Sequence, residues 1–279
     1  MKIIKTIVAM IIFICLTILY SKYIGTTGIQ TREYRVESSI LTNNFSGLKI
    51  VHFSDLLYGS ITNMEDVKKM VDKINILKPD LVLFTGDLIS PKYKLKEKDK
   101  EELIKNLKNI EVTIDKYAIY GDYDFDLNSY EDIITSSGFK LLSNEYEEVF
   151  YKTNESMYIV GLPSSIKTNI DMDKSFEFYT DENRKYTIVL VHDGKSIKYI
   201  DDSTYEVDLI LGGHSLNGSV RLPFVGGILK NENTYKYKDE EYERGITKIY
   251  ISGGLGTDKY DFRLNNKPSF NLYRLKAQS

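Results

Sequence analysis

Residues 81–88, LVLFTGDL, decide the fold: four apolar residues, a Thr-Gly turn, then a carboxylate. A short apolar run closed by a glycine turn reads as a strand buried on both faces. An acid just past its end stands where ligands gather in open α/β sheets, outside the carboxyl ends of the strands. The figure recurs along the chain. LKIVHF (48–53) runs into Ser54-Asp55-Leu56-Leu57-Tyr58-Gly59, and YAIY (117–120) into Gly121-Asp122-Tyr123-Asp124. TIVLV (187–191) runs into His192-Asp193, and DLILG (208–212) into Gly213-His214-Ser215-Leu216-Asn217-Gly218. One such acid is ordinarily a turn or helix-cap residue. Five strand ends delivering an aspartate or histidine, with two of the chain's 3 histidines among them, point to a metal centre of carboxylates and imidazoles.

The intervening segments are helical in period. Met64, Val67, Val71 and Ile74 lie on one face of residues 63–77, and Leu103, Leu107 and Ile110 on one face of 97–110. The Lys- and Glu-rich run Lys92–Lys108 is therefore a solvated amphipathic helix, not a binding patch. This β-α-β-α-β order predicts an α/β domain with parallel pairing. From residue 145 onward short β-like runs dominate (145–151, 156–161, 187–191, 207–211, 220–225, 246–252 and 270–275), which predicts two packed sheets with helices outside. Lys236–Glu243 mixes signs and reads as an exposed loop. Alternation places His52 on the face opposite Asp55, away from the metal centre.

With 37 basic against 40 acidic side chains and a net charge of −3, nothing favours nucleic acid as a partner. A 42% hydrophobic content excludes disorder. The single cysteine excludes a disulfide framework and a zinc site of several thiolates. TIVAMIIFICLTILY (6–20) carries no charge, and counted over 3–20 with Lys5 snorkelling the stretch is long enough to span a bilayer. No small-x-small site follows Tyr20, so an uncleaved anchor is favoured over a signal peptide. Lys2 and Lys5 before the span favour a single-pass protein of the cell membrane with an extracytoplasmic domain. The chain divides into an anchor (1–22), a tether with an edge strand at Tyr34–Ser39 (23–46) and one domain (47–279).

The order and spacing of the strand ends resemble those of the calcineurin-like metallophosphoesterases, particularly their small membrane-associated bacterial branch. The resemblance covers about 47–275 and includes Ile251–Thr257 and Arg263-Leu264. It implies a four-layer α/β/β/α sandwich and hydrolysis of phosphoesters with two metals, commonly Mn, Fe or Zn. The family's Asp-x-His motif stands here as Asp55-Leu56-Leu57, and its Gly-Asp motif, whose carboxylate bridges both metals, as Gly86-Asp87. Gly-Asn-His-Asp or Glu becomes Gly121-Asp122-Tyr123-Asp124; the lone histidine is His192; Gly-His-x-His becomes Gly213-His214-Ser215-Leu216.

Asp55, Asp87, His192 and His214 thus keep the family residue, and Asp122 replaces an asparagine with an oxygen still to offer. Leu57, Tyr123 and Leu216 replace histidines. The resemblance assigns one metal to Asp87, Asp122, His192 and His214. It assigns the other to Asp55, Asp87 and the two positions now held by leucine, so one divalent ion is expected, with the second site empty or weak. Tyr123 and Asp124 occupy the catalytic motif, where a phenol of reference pKa near 10 makes a poorer acid than histidine. The expectation is slow hydrolysis of a phosphoester, small molecule or lipid; the alternative is an inactive pseudoenzyme with a structural metal. Arg221 meets either a substrate phosphate or a structural ion partner. Gly253–Gly256 lacks a complete dinucleotide fingerprint. Loops 123–130, 162–180 and 226–245 would set the substrate.

Overall fold

Alternation along the strands divides the apolar residues of this chain among three cores, and the cores define the layers. The computed structural model describes residues 1–180, 182, 184–228, 236, 237 and 239–278. After helix α1 (Lys2–Tyr23), one six-stranded sheet is built from β1 (Gln30–Ser38), β2 (Lys49–Phe53), β3 (Leu81–Phe84), β4 (Asp115–Ala118), β5 (Lys140–Leu141) and β14 (Ser269–Ala277). Its order is β1-β14-β2-β3-β4-β5, with β2 to β5 parallel. A second six-stranded sheet contains β6 (Glu145–Phe150), β7 (Ser156–Gly161), β8 (Thr187–Leu190), β9 (Leu209–Gly212), β12 (Glu241–Arg244) and β13 (Thr247–Ile251). The order there is β12-β13-β9-β8-β7-β6, and only its two edge strands run antiparallel to their neighbours.

Val51, Phe53, Val82 and Phe84 face outward onto α2 (Met64–Leu77), α3 (Glu97–Lys108) and α4 (Tyr130–Ser136). Their neighbours Ile50, Leu81 and Leu83 face inward onto Ile159, Ile188, Leu190 and Leu211 of the second sheet. The far side of that sheet, Val160, Val189, Ile210 and Ile249, packs on Ile197 and Ile200 of α6 (Ser196–Asp201) and on Phe176, just beyond α5 (Met172–Ser175). The result is the expected α/β/β/α order.

Asn63 starts α2 with a capping box: its side chain accepts from the amides of Glu65 and Asp66, and Asp66 reaches back to its backbone. Lys116, buried beneath α3 and α4, donates to Leu107 O and Ser137 O and so ties off both helix ends.

Four expectations shift. The third strand spans Asp115–Ala118, two residues earlier than read. The edge strand is longer than the alternating run suggested, because Gln30–Ser38 pairs in parallel along all of β14. The end of Lys236–Glu243 belongs to an edge strand on β13, Glu241–Arg244, rather than a loop, and Lys238 lies outside the described residues. Of 220–225, only Arg221–Leu222 is strand, β10, paired with β11 (Gly226–Gly227) in a short hairpin.

His52 points into the layer between the sheets. Its Nε2 lies 2.9 Å from Thr85 Oγ1, and its ring stacks on Tyr273. Burial holds its pKa down at about 3, so it folds neutral. The unfolded chain takes up this proton near pH 6.5 and the folded one only near 3, so stability must fall as pH drops through that window. The loss is at most roughly 5 kcal/mol. Urea midpoints measured from pH 7 to 3.5 should fall less steeply for His52→Gln than for the parent; parallel slopes would show that His52 does not titrate this way.

Candidate metal centre

The carboxyl ends of β2, β3, β4, β8 and β9 converge. The turns that follow are tight enough that six of the chain's positive-φ non-glycine residues lie there: Asp55, Leu57, Asp87, His214, Leu216 and Asn217. Gly121 lets two turns touch, since a side chain on it would strike the Asp87 backbone nitrogen and carboxylate. Backbone conformations of this kind collect at functional sites.

Ligand atoms of Asp87, His192 and His214, all buried, lie within 4.8 Å of one another. Asp122 completes the group: its Oδ2 is 3.3 Å from His214 Nδ1 and its Oδ1 3.8 Å from His192 Nε2. His192 is the decisive residue. Its Nδ1 lies 2.6 Å from the carbonyl oxygen of Thr85, which can only accept, so Nδ1 carries the hydrogen. Nε2 is buried and makes no hydrogen bond, although Asp87 Oδ2 lies 3.2 Å away. An imidazole fixed through one nitrogen by a carbonyl, with the other bare among carboxylates, is the arrangement of a metal-ligating histidine. Thr85 also bonds His52 through its hydroxyl, so two of the three histidines meet at one residue.

Charge points the same way. Burial pushes Asp55 up to about 6 and raises Asp122. Burial alone would also raise Asp87, but the neighbouring His192 and the Tyr123 amide pull it below the usual carboxylate range. Burial likewise opposes a proton on His192, and the Asp87 carboxylate outweighs it, raising the imidazole well above its ordinary value. Three carboxylates this deep need positive charge, which a proton on His192 or a divalent ion at Nε2 would supply. The residues present fit one such ion.

The rest of the predicted set is placed as follows. Asp55 Oδ2 accepts the His214 amide at 3.1 Å. Leu57 and Leu216 are buried, and packed so closely on Gly256 and Gly254 that a methyl group on either glycine would stand 2.5 Å from a leucine carbon. Beside Asp55 there is thus an apolar wall. The Tyr123 hydroxyl donates to Asp258 Oδ1 at 2.8 Å, and burial followed by that carboxylate drives its pKa well up. Asp124 is bound by the backbone around it. Both its oxygens accept backbone amides, from Asp87 at 2.7 Å, Gly121 at 2.8 Å and Leu88 at 2.9 Å. It holds the Asp87 turn in shape. Arg221 pairs with Asp239 and with the carbonyl of Asn217, which makes it the structural ion partner.

Four contributors lie outside the five strand-end motifs, and of them only Arg263 belongs to the resemblance. Ser164 donates toward Asp122 Oδ1 and lies 3.2 Å from Asp193 Oδ2, linking a ligand to a buried network with Ser165 and Ser196. Asp258 holds Tyr123, and Lys92 holds the same loop through the carbonyls of Asp258 and Lys259. Arg263, fully buried, donates to the carbonyls of Gly253, Gly254 and Gly256 and so fixes the turn against which the leucines pack.

A fold of this order with carboxylate and imidazole ligands at its strand ends defines a metal-dependent phosphoesterase class. The family model for calcineurin-like phosphoesterases matches residues 48–218, and the chain belongs to that family. It is 30% identical over 261 residues, 92% of this chain and 89% of the relative, to the uncharacterized metallophosphoesterase YkuE of Bacillus subtilis. The UDP-2,3-diacylglucosamine pyrophosphatase LpxG of Chlamydia muridarum is 24% identical, over 75% of this chain and 78% of its own. A zebrafish transmembrane protein with a metallophosphoesterase domain is 21% identical, over 85% of this chain and 55% of its own. Helix α1, 22 residues of high mean hydropathy and about 33 Å long, could cross a membrane.

Proposed function

We propose that this protein is a single-pass, membrane-anchored phosphoester hydrolase with its domain outside the cytoplasm, working slowly with one divalent ion. Asp87, Asp122, His192 and His214 hold that ion, and manganese, iron or zinc suits the donor set. The observation that carries the reading is the bare, buried Nε2 of His192 among carboxylates. A divalent ion held there would polarise a phosphoryl oxygen and lower the pKa of water.

The chain's own residues set the rest. Asp87, held by the Tyr123 amide on one oxygen, turns the other toward His192. Ser164 orients Asp122, and Thr85 orients His192. Leu57 and Leu216 replace the imidazoles a second ion would need, so a two-ion clamp on attacking and leaving oxygens is lost. Tyr123, its hydroxyl committed to Asp258, is a weak proton donor to a leaving group.

An anchored domain supports a substrate in or at the membrane, such as a lipid-linked phosphoester; the chlamydial relative is named for the pyrophosphate of a diacylated sugar nucleotide. The loss of the proton donor also favours a second reading, a pseudoenzyme that keeps its ion for structure. Hydrolysis of a generic phosphodiester separates the two. Turnover abolished in Asp87→Asn supports the enzyme; turnover no higher in the parent than in that variant supports the pseudoenzyme.

A further inference from the structure

The hairpin that follows the last metal motif carries a bare apolar tip. Leu222, Phe224, Val225 and Ile228 are all exposed, and Phe224 is as accessible (109%) as a residue with no neighbours. Its positive φ of 66° turns the chain at Pro223-Phe224-Val225, so the tip is a built turn and not a frayed end.

The base of this hairpin is joined by backbone to the foot of the anchor. Arg221 N donates to Leu264 O at 2.9 Å and Leu264 N to Ser219 O at 3.0 Å. The neighbouring Arg263 N donates to Ser21 O, also at 3.0 Å, and Ser21 is the buried residue of α1. No residue of the 18-residue apolar stretch of α1 is buried in the domain. The anchor therefore leaves the domain one residue along the chain from the segment that clamps the hairpin. Around this junction Tyr23, Ile24 and Tyr260 are exposed as well, and tyrosines of this kind are enriched where a membrane meets water.

We propose that the Leu222–Ile228 hairpin tip dips into the same lipid surface that α1 enters, giving the domain a second membrane contact beside the metal centre. The proposal rests on the reading of α1 as a membrane span. Two attachment points fix the orientation of a domain that one helix would leave free to tumble. Because His214 and the hairpin base are separated by only a few residues, that orientation holds the metal centre close to the headgroups. The occupant is lipid: the tip is continuous with the anchor's exit and carries no charged residue between Leu222 and Ile228.

The chain has 0 tryptophans, so one substitution makes a clean reporter. Full-length protein is reconstituted into phosphatidylcholine–phosphatidylglycerol vesicles as Phe224→Trp, as Val225→Trp, and as Ile246→Trp, the last on an exposed turn at the opposite end of β13. The two tip variants should emit blue-shifted and lose most of their intensity on brominated lipid, while Ile246→Trp stays red and unquenched. Tip variants that float with the vesicles but emit like Ile246→Trp overturn the hairpin contact and leave the anchor intact. A blue shift without bromine quenching means protein, such as a second copy, covers the tip, and also overturns it. A chain that does not float overturns both readings.

Discussion

Asp87→Asn should strip the protein of its ion and end its turnover while leaving the fold in place. The substitution changes charge and almost nothing else. Asparagine has the same shape and keeps an oxygen for the Tyr123 amide, and it is among the residues most tolerant of the left-handed φ of 63° that Asp87 adopts. The site loses the carboxylate nearest His192 Nε2, 3.2 Å away. Loss of an outer-shell partner typically weakens a metal site by about 10–100-fold, and loss of a ligand should exceed that. Without an ion, the Asp87 carboxylate is the partner that favours a proton on His192, so the metal-free variant, though folded, should melt below the metal-free parent. Metal analysis after dialysis, turnover and a melting curve check the three parts. An Asp87→Asn protein that holds its ion as the parent does would remove Asp87 from the ligand set.

Restoring the family's three histidines together, Leu57→His with Leu216→His and Tyr123→His, should have the second-largest effect, in the opposite direction. Leu57 and Leu216 sit at φ of 43° and 51°, where an L-residue costs roughly 1–2 kcal/mol and where histidine is found more often than leucine. The backbone is thus already shaped for the imidazoles, and two apolar side chains are what stand in their place. The triple variant should bind a second ion. With a general acid back at position 123, turnover should rise by about 10²–10⁴-fold. If neither metal content nor rate increased, the pairing of these positions with the family motifs would be wrong.

Much of this was legible in the chain because strand ends are punctuated. An apolar run followed by Gly-Asp or Gly-His placed Asp87, Asp122 and His214 with the end of one strand as the only structural assumption, and alternation alone turned His52 inward. Orientation was less legible. Asp124 lies two residues from Asp122 and looks as reactive, yet only the fold shows both its oxygens spent on backbone amides. Nothing periodic marks Asp258, and Lys92, read as the start of an amphipathic helix over Lys92–Lys108, lies ahead of α3, which begins only at Glu97; both reach the site from loops remote in sequence. Nor is Ser164 marked, whose partners come from two other turns. The full length of β1 was hidden because its pairing is with β14, more than two hundred residues away. Of the three loops expected to set the substrate, part of 226–245 lies outside the described residues.

The central claim is a count. Full-length protein, stripped with chelator, reloaded with manganese, iron(II) or zinc and freed of excess ion, should carry one ion per chain by inductively coupled plasma mass spectrometry. Two ions held equally well would mean that the wall of Leu57 and Leu216 does not close the second site, and none would mean that the buried carboxylates and imidazoles balance one another without a metal; either result contradicts the account.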